Sequence, residues 1–368
     1  MKVVTVVGTR PEVIRLSRLI ALFDSSLEHI LVHTGQNSTF GLNEIFFDEM
    51  GLRSPDYNFG VSTSSLGTML DDIMRSTEEM LLREKPDAFL VLGDTNSALS
   101  ALMAKRMQIP VYHMEAGNRC FDENVPEETN RRVIDHLADF NLVYTEHARR
   151  NLISEGLAAR RILHTGSPLR EVIDFYSDSI SQSSVLDRLG LQENQFILVS
   201  AHRQENVDSQ ERLEAFIECL ESIANEWGLP VLVSTHPRTK QQLERRGTYA
   251  IEGVQFYEPF GFFDYCRLQT KAFCVVSDSG TVSEEAAIIG FPAVTIRSSI
   301  ERPEALDNGV IIMTDLRPID LIAGMRAAVT DSEAASVPLD YLPNNTSIRV
   351  RNFILSTAHE HRVWAGLR

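Results

Sequence analysis

Short apolar runs alternate with helix-patterned stretches along the whole chain, in two separate series. The first series places strands at residues 2–7, 29–33, 88–92, 110–113, 140–144 and 161–164. Pro11 opens the first helical pattern, and Val13, Leu16, Ile20 and Phe23 recur on one face of it. Two helical patterns fit ahead of Lys85-Pro86-Asp87. Residues 177–184 are polar and Ser-rich. A second series follows, with strands at 195–200, 230–234, 254–256, 272–277, 292–296 and 310–313. Regular alternation of this kind predicts α/β architecture with doubly wound parallel sheets. At 368 residues the chain exceeds a single ordinary core. The expected division is a Rossmann-like domain over 1–176, a second over 185–345, and a terminal helical segment over 346–368. Two such domains facing each other would enclose a deep cleft, a common place for a ligand of nucleotide size.

Composition narrows the function classes. The formal charge of -16 opposes nucleic-acid binding, which needs a basic surface. No apolar run of membrane-spanning length occurs. The first residues enter a strand directly, without the apolar core of a signal peptide. Cys120, Cys219, Cys266 and Cys274 form no Cys-x-x-Cys pair, and Cys219 and Cys274 sit in apolar runs. Neither a disulfide nor a metal site is expected, and a cytoplasmic location fits. Gly8-Thr9-Arg10-Pro11 carries one glycine where a dinucleotide fingerprint needs three, and no P-loop occurs. No nicotinamide, metal or other cofactor is therefore called for.

Acids mark the ends of two predicted strands. Gly93-Asp94-Thr95 follows residues 88–92, and Glu115-Ala116-Gly117 follows 110–113. Open α/β sheets hold their ligands at such ends. Together with Glu127 and Glu128 after Pro126, these acids suggest proton chemistry. The alternative is helix capping or pairing with nearby arginines, as Glu127 with Arg131 four residues on. Arg10 ends the first strand beside a helix N-terminus, which favours an anion, and Arg15 lies about a turn further. Ser277-Asp278-Ser279-Gly280-Thr281 joins a strand to a helix through small residues able to receive a diphosphate. Glu285, beside Glu284 in that helix, can accept from ribose hydroxyls, or simply follow an N-cap. His202 ends the first strand of the second series and His236 the next. Arg119 and Arg302 are further candidates for lining the site. Phe262, Phe263 and Tyr265 precede a helix and suit either core packing or base stacking.

Taken from Gly8-Thr9-Arg10-Pro11-Glu12 to Glu301-Arg302-Pro303-Glu304, the chain resembles the non-hydrolysing UDP-N-acetylglucosamine 2-epimerases. The resemblance implies a GT-B-like fold, a UDP-sugar partner between the domains and a homodimer. By motif it implies acid–base roles for Asp94, Glu115, Glu127 and His202. It also implies UDP contacts from Arg10, His202, Ser279, Gly280 and Glu285. Arg15, Arg119, Glu128, Arg131, His236 and Arg302 remain possible substrate ligands. The runs His33-Thr34-Gly35-Gln36-Asn37, Glu115-Ala116-Gly117-Asn118-Arg119-Cys120-Phe121 and Ser277-Asp278-Ser279-Gly280-Thr281 look closer to a subgroup, the UDP-N-acetyl-L-fucosamine synthases of surface polysaccharide formation. The chain departs from that subgroup at Gln204 and at Ser38-Thr39, and from the typical glucosamine enzymes at Arg15 and Asn37. Rival readings are a UDP-N-acetylglucosamine 2-epimerase, a GT-B glycosyltransferase and a nucleotide-sugar-binding protein without turnover.

Overall fold

The computed structural model describes residues 1–36, 47–201, 209–235, 239, 251–297, 299–331 and 336–367. It divides into two compact units, Met1–Val172 with Asp340–Arg368, and Ile173–Leu339.

The first unit holds a seven-stranded sheet in the order β3-β2-β1-β4-β5-β6-β7. Its strands are β1 (Lys2–Val7), β2 (Glu28–His33), β3 (Tyr57–Asn58), β4 (Ala88–Leu92), β5 (Val111–Met114), β6 (Phe140–Val143) and β7 (Ile162–His164). All neighbours run parallel. The central strands are mostly apolar because helices cover both faces: every residue of β4 is apolar and buried. The helix Arg10–Ser26 buries Val13, Leu16, Ile20 and Phe23 in one core. The helix Thr346–Thr357 adds Val350 and Ile354 to that same core. Phe353 sets its ring edge-on to Tyr112 and Phe140. The Tyr112 hydroxyl and Thr357 Oγ1 are hydrogen-bonded at 2.7 Å. Edge strand β3, only two residues long, carries no periodicity and has no counterpart in the sequence reading.

The second unit holds six parallel strands in the order β10-β9-β8-β11-β12-β13. They are β8 (Ile197–Ser200), β9 (Val231–Ser234), β10 (Val254–Tyr257), β11 (Cys274–Ser277), β12 (Ala293–Thr295) and β13 (Ile312–Met313). The polar stretch after residue 176 forms the short helices Ser177–Ser181 and Val185–Leu189. Phe262, Phe263 and Tyr265 correct one expectation. They lie inside the helix Phe262–Lys271 rather than ahead of it, because Gly261 already serves as its N-cap. All four cysteines are buried thiols. No helix among the described residues is long and apolar enough to cross a membrane.

Candidate active site

Each sheet reverses its winding once, between β1 and β4 in the first unit and between β8 and β11 in the second. Connections leaving such a pair on opposite sides open a crevice beyond the C-terminal strand ends. Arg10 follows β1 and Asp94 follows β4, while Ser279 and Gly280 follow β11. His202 follows β8, but it lies outside the described residues, as do His236, Gln204 and residues 37–39.

The turn after β1 is built tightly. A Cβ on Gly8 would come within 1.9 Å of Ser97 Oγ, so only glycine fits. Glu12 reaches back from the first helical turn. Its Oε2 accepts from the amides of Gly8 (2.5 Å) and Thr9 (3.3 Å), and its Oε1 accepts from Thr95 Oγ1 (2.7 Å). One carboxylate thus joins the β1 turn to the β4 turn. Burial pushes the Glu12 carboxyl up to about 7. Arg10 opens the helix, half-buried. Arg15 is buried, with its guanidinium over the Tyr144 ring and its Nε 3.9 Å from Glu115 Oε2.

Asp94 and Glu115 stand at the ends of adjacent parallel strands, whose register pairs Leu92 with Met114. Asp94 Oδ2 accepts from Arg131 Nε at 2.9 Å and lies 2.7 Å from Arg131 Nη2. Asn130 Nδ2 donates to the Asp94 carbonyl at 2.9 Å. Arg131 belongs to the helix Pro126–Leu137, and its Nη1 donates to Glu128 at 3.2 Å. Glu128 is buried, which alone would raise its carboxyl. Hydrogen bonds from Cys120 and Arg132, with the charge of Arg131, outweigh burial and hold it below the ordinary range. Glu127 sits exposed in the first turn of that helix.

Glu115 adopts φ 65°, the left-handed region that non-glycine residues rarely occupy. Such strain persists only where surroundings over-determine it. Here the Gly117 amide lies 3.2 and 3.1 Å from the two oxygens of Asp135, and Asn151 Nδ2 donates to the Gly117 carbonyl at 2.9 Å. Asp135 also meets His113 Nδ1 (2.9 Å) and Arg119 Nη1 (2.7 Å). Arg119 extends to Glu155 at 2.8 and 2.6 Å. His113, Arg119 and Asp135 are all buried.

In the second unit, Ser279 Oγ and Thr281 Oγ1 are 2.9 Å apart, and the Ser279 amide donates to Ser277 Oγ at 3.0 Å. Glu285 accepts from Thr281 Oγ1 (2.7 Å) and from Gln269 Nε2 (2.6 Å). Arg302 Nη1 donates to the buried Glu284. Ser279, Gly280 and Glu285 remain half-buried. The candidates therefore fall into two groups. Arg10, Arg15, Asp94, Glu115, Glu128 and Arg131 share the strand-end edge of the first sheet, and Ser279, Gly280 and Glu285 that of the second. Glu12, His113 and Asp135 are additions from the structure. Thr9-x-x-Glu12 matches a capping box and His113 closes the predicted strand 110–113, so both were open to reading, whereas nothing local marks Asp135.

Two parallel-sheet units with polar groups at their winding reversals make this a GT-B-like α/β protein. The family model described as UDP-N-acetylglucosamine 2-epimerase matches residues 22–355. A UDP-N-acetylglucosamine 2-epimerase of Methanocaldococcus jannaschii is 34% identical over 323 residues, covering 85% of this chain and 88% of the relative. A UDP-2,3-diacetamido-2,3-dideoxy-D-glucuronate 2-epimerase of Pseudomonas aeruginosa is also 34% identical, over 319 residues, with 85% and 88% covered. The structure of UDP-N-acetylglucosamine 2-epimerase from Rickettsia bellii superposes with a TM-score of 0.91 at 41% identity, covering 99% of both chains. The chain belongs to the UDP-N-acetylglucosamine 2-epimerase family, non-hydrolysing epimerases of UDP-sugars, and is an isomerase.

Proposed function

We propose that the chain inverts C2 of a UDP-2-acetamido sugar by eliminating UDP and adding it back. Two carboxylates, Asp94 and Glu115, at the ends of neighbouring strands carry this reading. The C2 hydrogen of such a sugar is not acidic, so simple deprotonation is too slow. In the elimination, a base takes the C2 proton and the C1–O bond breaks with its electron pair going to UDP. A C1=C2 double bond remains, giving a 2-acetamidoglycal. Re-addition delivers a proton to the opposite face of C2 while UDP re-forms the bond to C1. Groups beside both faces of C2 are needed, here Asp94, Glu115, Glu127 and His202. Charge leaving on the diphosphate needs donors, here Arg10, Ser279, Gly280 and His202, with Glu285 on the ribose.

The substrate we assign is UDP-2-acetamido-2,6-dideoxy-L-talose, giving UDP-N-acetyl-L-fucosamine. The motif runs at residues 33–37, 115–121 and 277–281 support it. The Pseudomonas relative is named for a sugar other than N-acetylglucosamine, so the family's chemistry is not tied to one ring. UDP-N-acetylglucosamine is the second reading, favoured by the names of the Methanocaldococcus and Rickettsia relatives. A side-by-side assay separates them: the talose-configured substrate should show the higher kcat/KM, and equal or better turnover of UDP-N-acetylglucosamine reverses the assignment. For the mechanism, an ¹⁸O label in the C1–O–P bridge should scramble to non-bridging positions while deuterium enters C2 from D₂O. Epimerisation with the bridge label fully retained excludes elimination.

A further inference from the structure

His113 and Asp135 are tied to the two strand-end loops that carry the proposed acids. His113 lies in β5, with no exposed surface, and its two ring nitrogens face different loops. Nε2 lies 2.8 Å from the Gly93 carbonyl, the residue directly before Asp94. That carbonyl can only accept, so Nε2 donates. Nδ1 faces Asp135 Oδ1 at 2.9 Å, and the Asp135 oxygens in turn take the amide of Gly117, two residues after Glu115. The Gly93 amide completes the tie by donating to the Met114 carbonyl at 3.0 Å, directly before Glu115. A continuous path of buried polar contacts thus runs from the Asp94 loop through His113 and Asp135 to the Glu115 loop. Arg119 anchors the helix end of the path on Asp135 and Glu155.

We infer that His113 and Asp135 are positioning residues that set the separation and aim of Asp94 and Glu115. The inference rests on the acid–base reading of those two carboxylates. Transfer of a proton off one face of a ring and onto the other depends on where both groups stand, and misplacement by about 1 Å can cost roughly 100-fold. Neither residue needs to touch the sugar, so their effect belongs to turnover rather than to binding.

Two substitutions of His113 separate positioning from mere core filling. In His113→Gln the amide reaches the place of Nε2 and retains a donor for Gly93. In His113→Asn the amide retains the side facing Asp135 and no longer reaches Gly93. His113→Asn should lower kcat roughly 10- to 100-fold, with KM and the Kd for UDP changed by less than about twofold. His113→Gln should recover most of that loss. Equal kcat in the two variants, or loss of kcat in step with the folded fraction, overturns the inference. Should His113→Asn not fold, Asp135→Asn decides by the same split between kcat and UDP binding, full turnover being the contrary result. Asp94→Asn and Glu115→Gln are run beside them. Wild-type rates in those two bring down the site reading itself. If they are inactive while His113→Asn and Asp135→Asn keep wild-type kcat, only the positioning inference fails.

Discussion

Glu12 keeps a carboxyl where water scarcely reaches it, and pH reads that out. Its folded value of about 7 lies above the ordinary 4.5. Between those values the native state holds a proton that the unfolded chain releases, so its contribution is full below about pH 4.5 and lost as pH rises towards 7. The loss should be on the order of 3 kcal/mol. Glu12→Gln keeps an acceptor for the two amides and an NH₂ for Thr95, and should flatten that part of the pH profile. Urea unfolding at pH 4.5, 6 and 8 checks it: identical profiles in both proteins exclude Glu12 as the source. Among the acids, Asp94→Asn, Glu115→Gln and Glu127→Gln should each lower kcat by roughly 10²–10⁴ if each moves a proton. Steady-state kinetics of the folded variants decide, and near-wild-type rates remove these residues from the proton chemistry. Asp94 and Glu115 were legible because strand ends are visible as the stops of apolar runs. Their supports were less so: His113 closes a predicted strand, but Asp135, which it meets across 22 positions, sits in no local pattern.

Gly117 has φ 82°, and a Cβ there would lie 2.3 Å from the Ala148 carbonyl oxygen in the helix Glu146–Ser154. Gly117→Ala should therefore destabilise the fold by about 2 kcal/mol or more, from backbone strain and from pushing that helix away. It should also disturb Glu115, two residues back, so kcat should fall with stability. A midpoint of denaturation within error of wild type contradicts this. Element recognition from sequence followed the same physics. Long, largely buried strands such as β1 and β4 announce themselves as predominantly apolar runs, broken in β1 only by Thr5 after its first residue. β3 contributes one half-buried and one exposed residue and leaves no such trace. The first turn of helix Phe262–Lys271 was misplaced because its aromatic residues hide the start that Gly261 supplies.

At the scale of the molecule, the two series of strands gave away two sheets, but strand order is a matter of long-range pairing and is not written in any one run. The helix Thr346–Thr357 shows the same limit, since its apolar face does not name the partner it packs on. Removing residues 346–368 would strip Val350 and Ile354 from the first core. At about 1.5–3 kcal/mol for each buried side chain, these two alone amount to about 3–6 kcal/mol, comparable with the low end of an ordinary domain's stability. The truncated chain should lose its cooperative thermal transition for the first unit, and an unchanged melting profile argues against that role. There is also a consequence in time. Residues 1–172 are translated before any of the second unit, yet the helix that fills their core is translated after it. The contiguous unit can close on the ribosome while the earlier one waits, unfinished, for its last piece. The first half to be made is the last to be completed, and a stalled ribosome anywhere in between leaves it with an open apolar face for chaperones to hold.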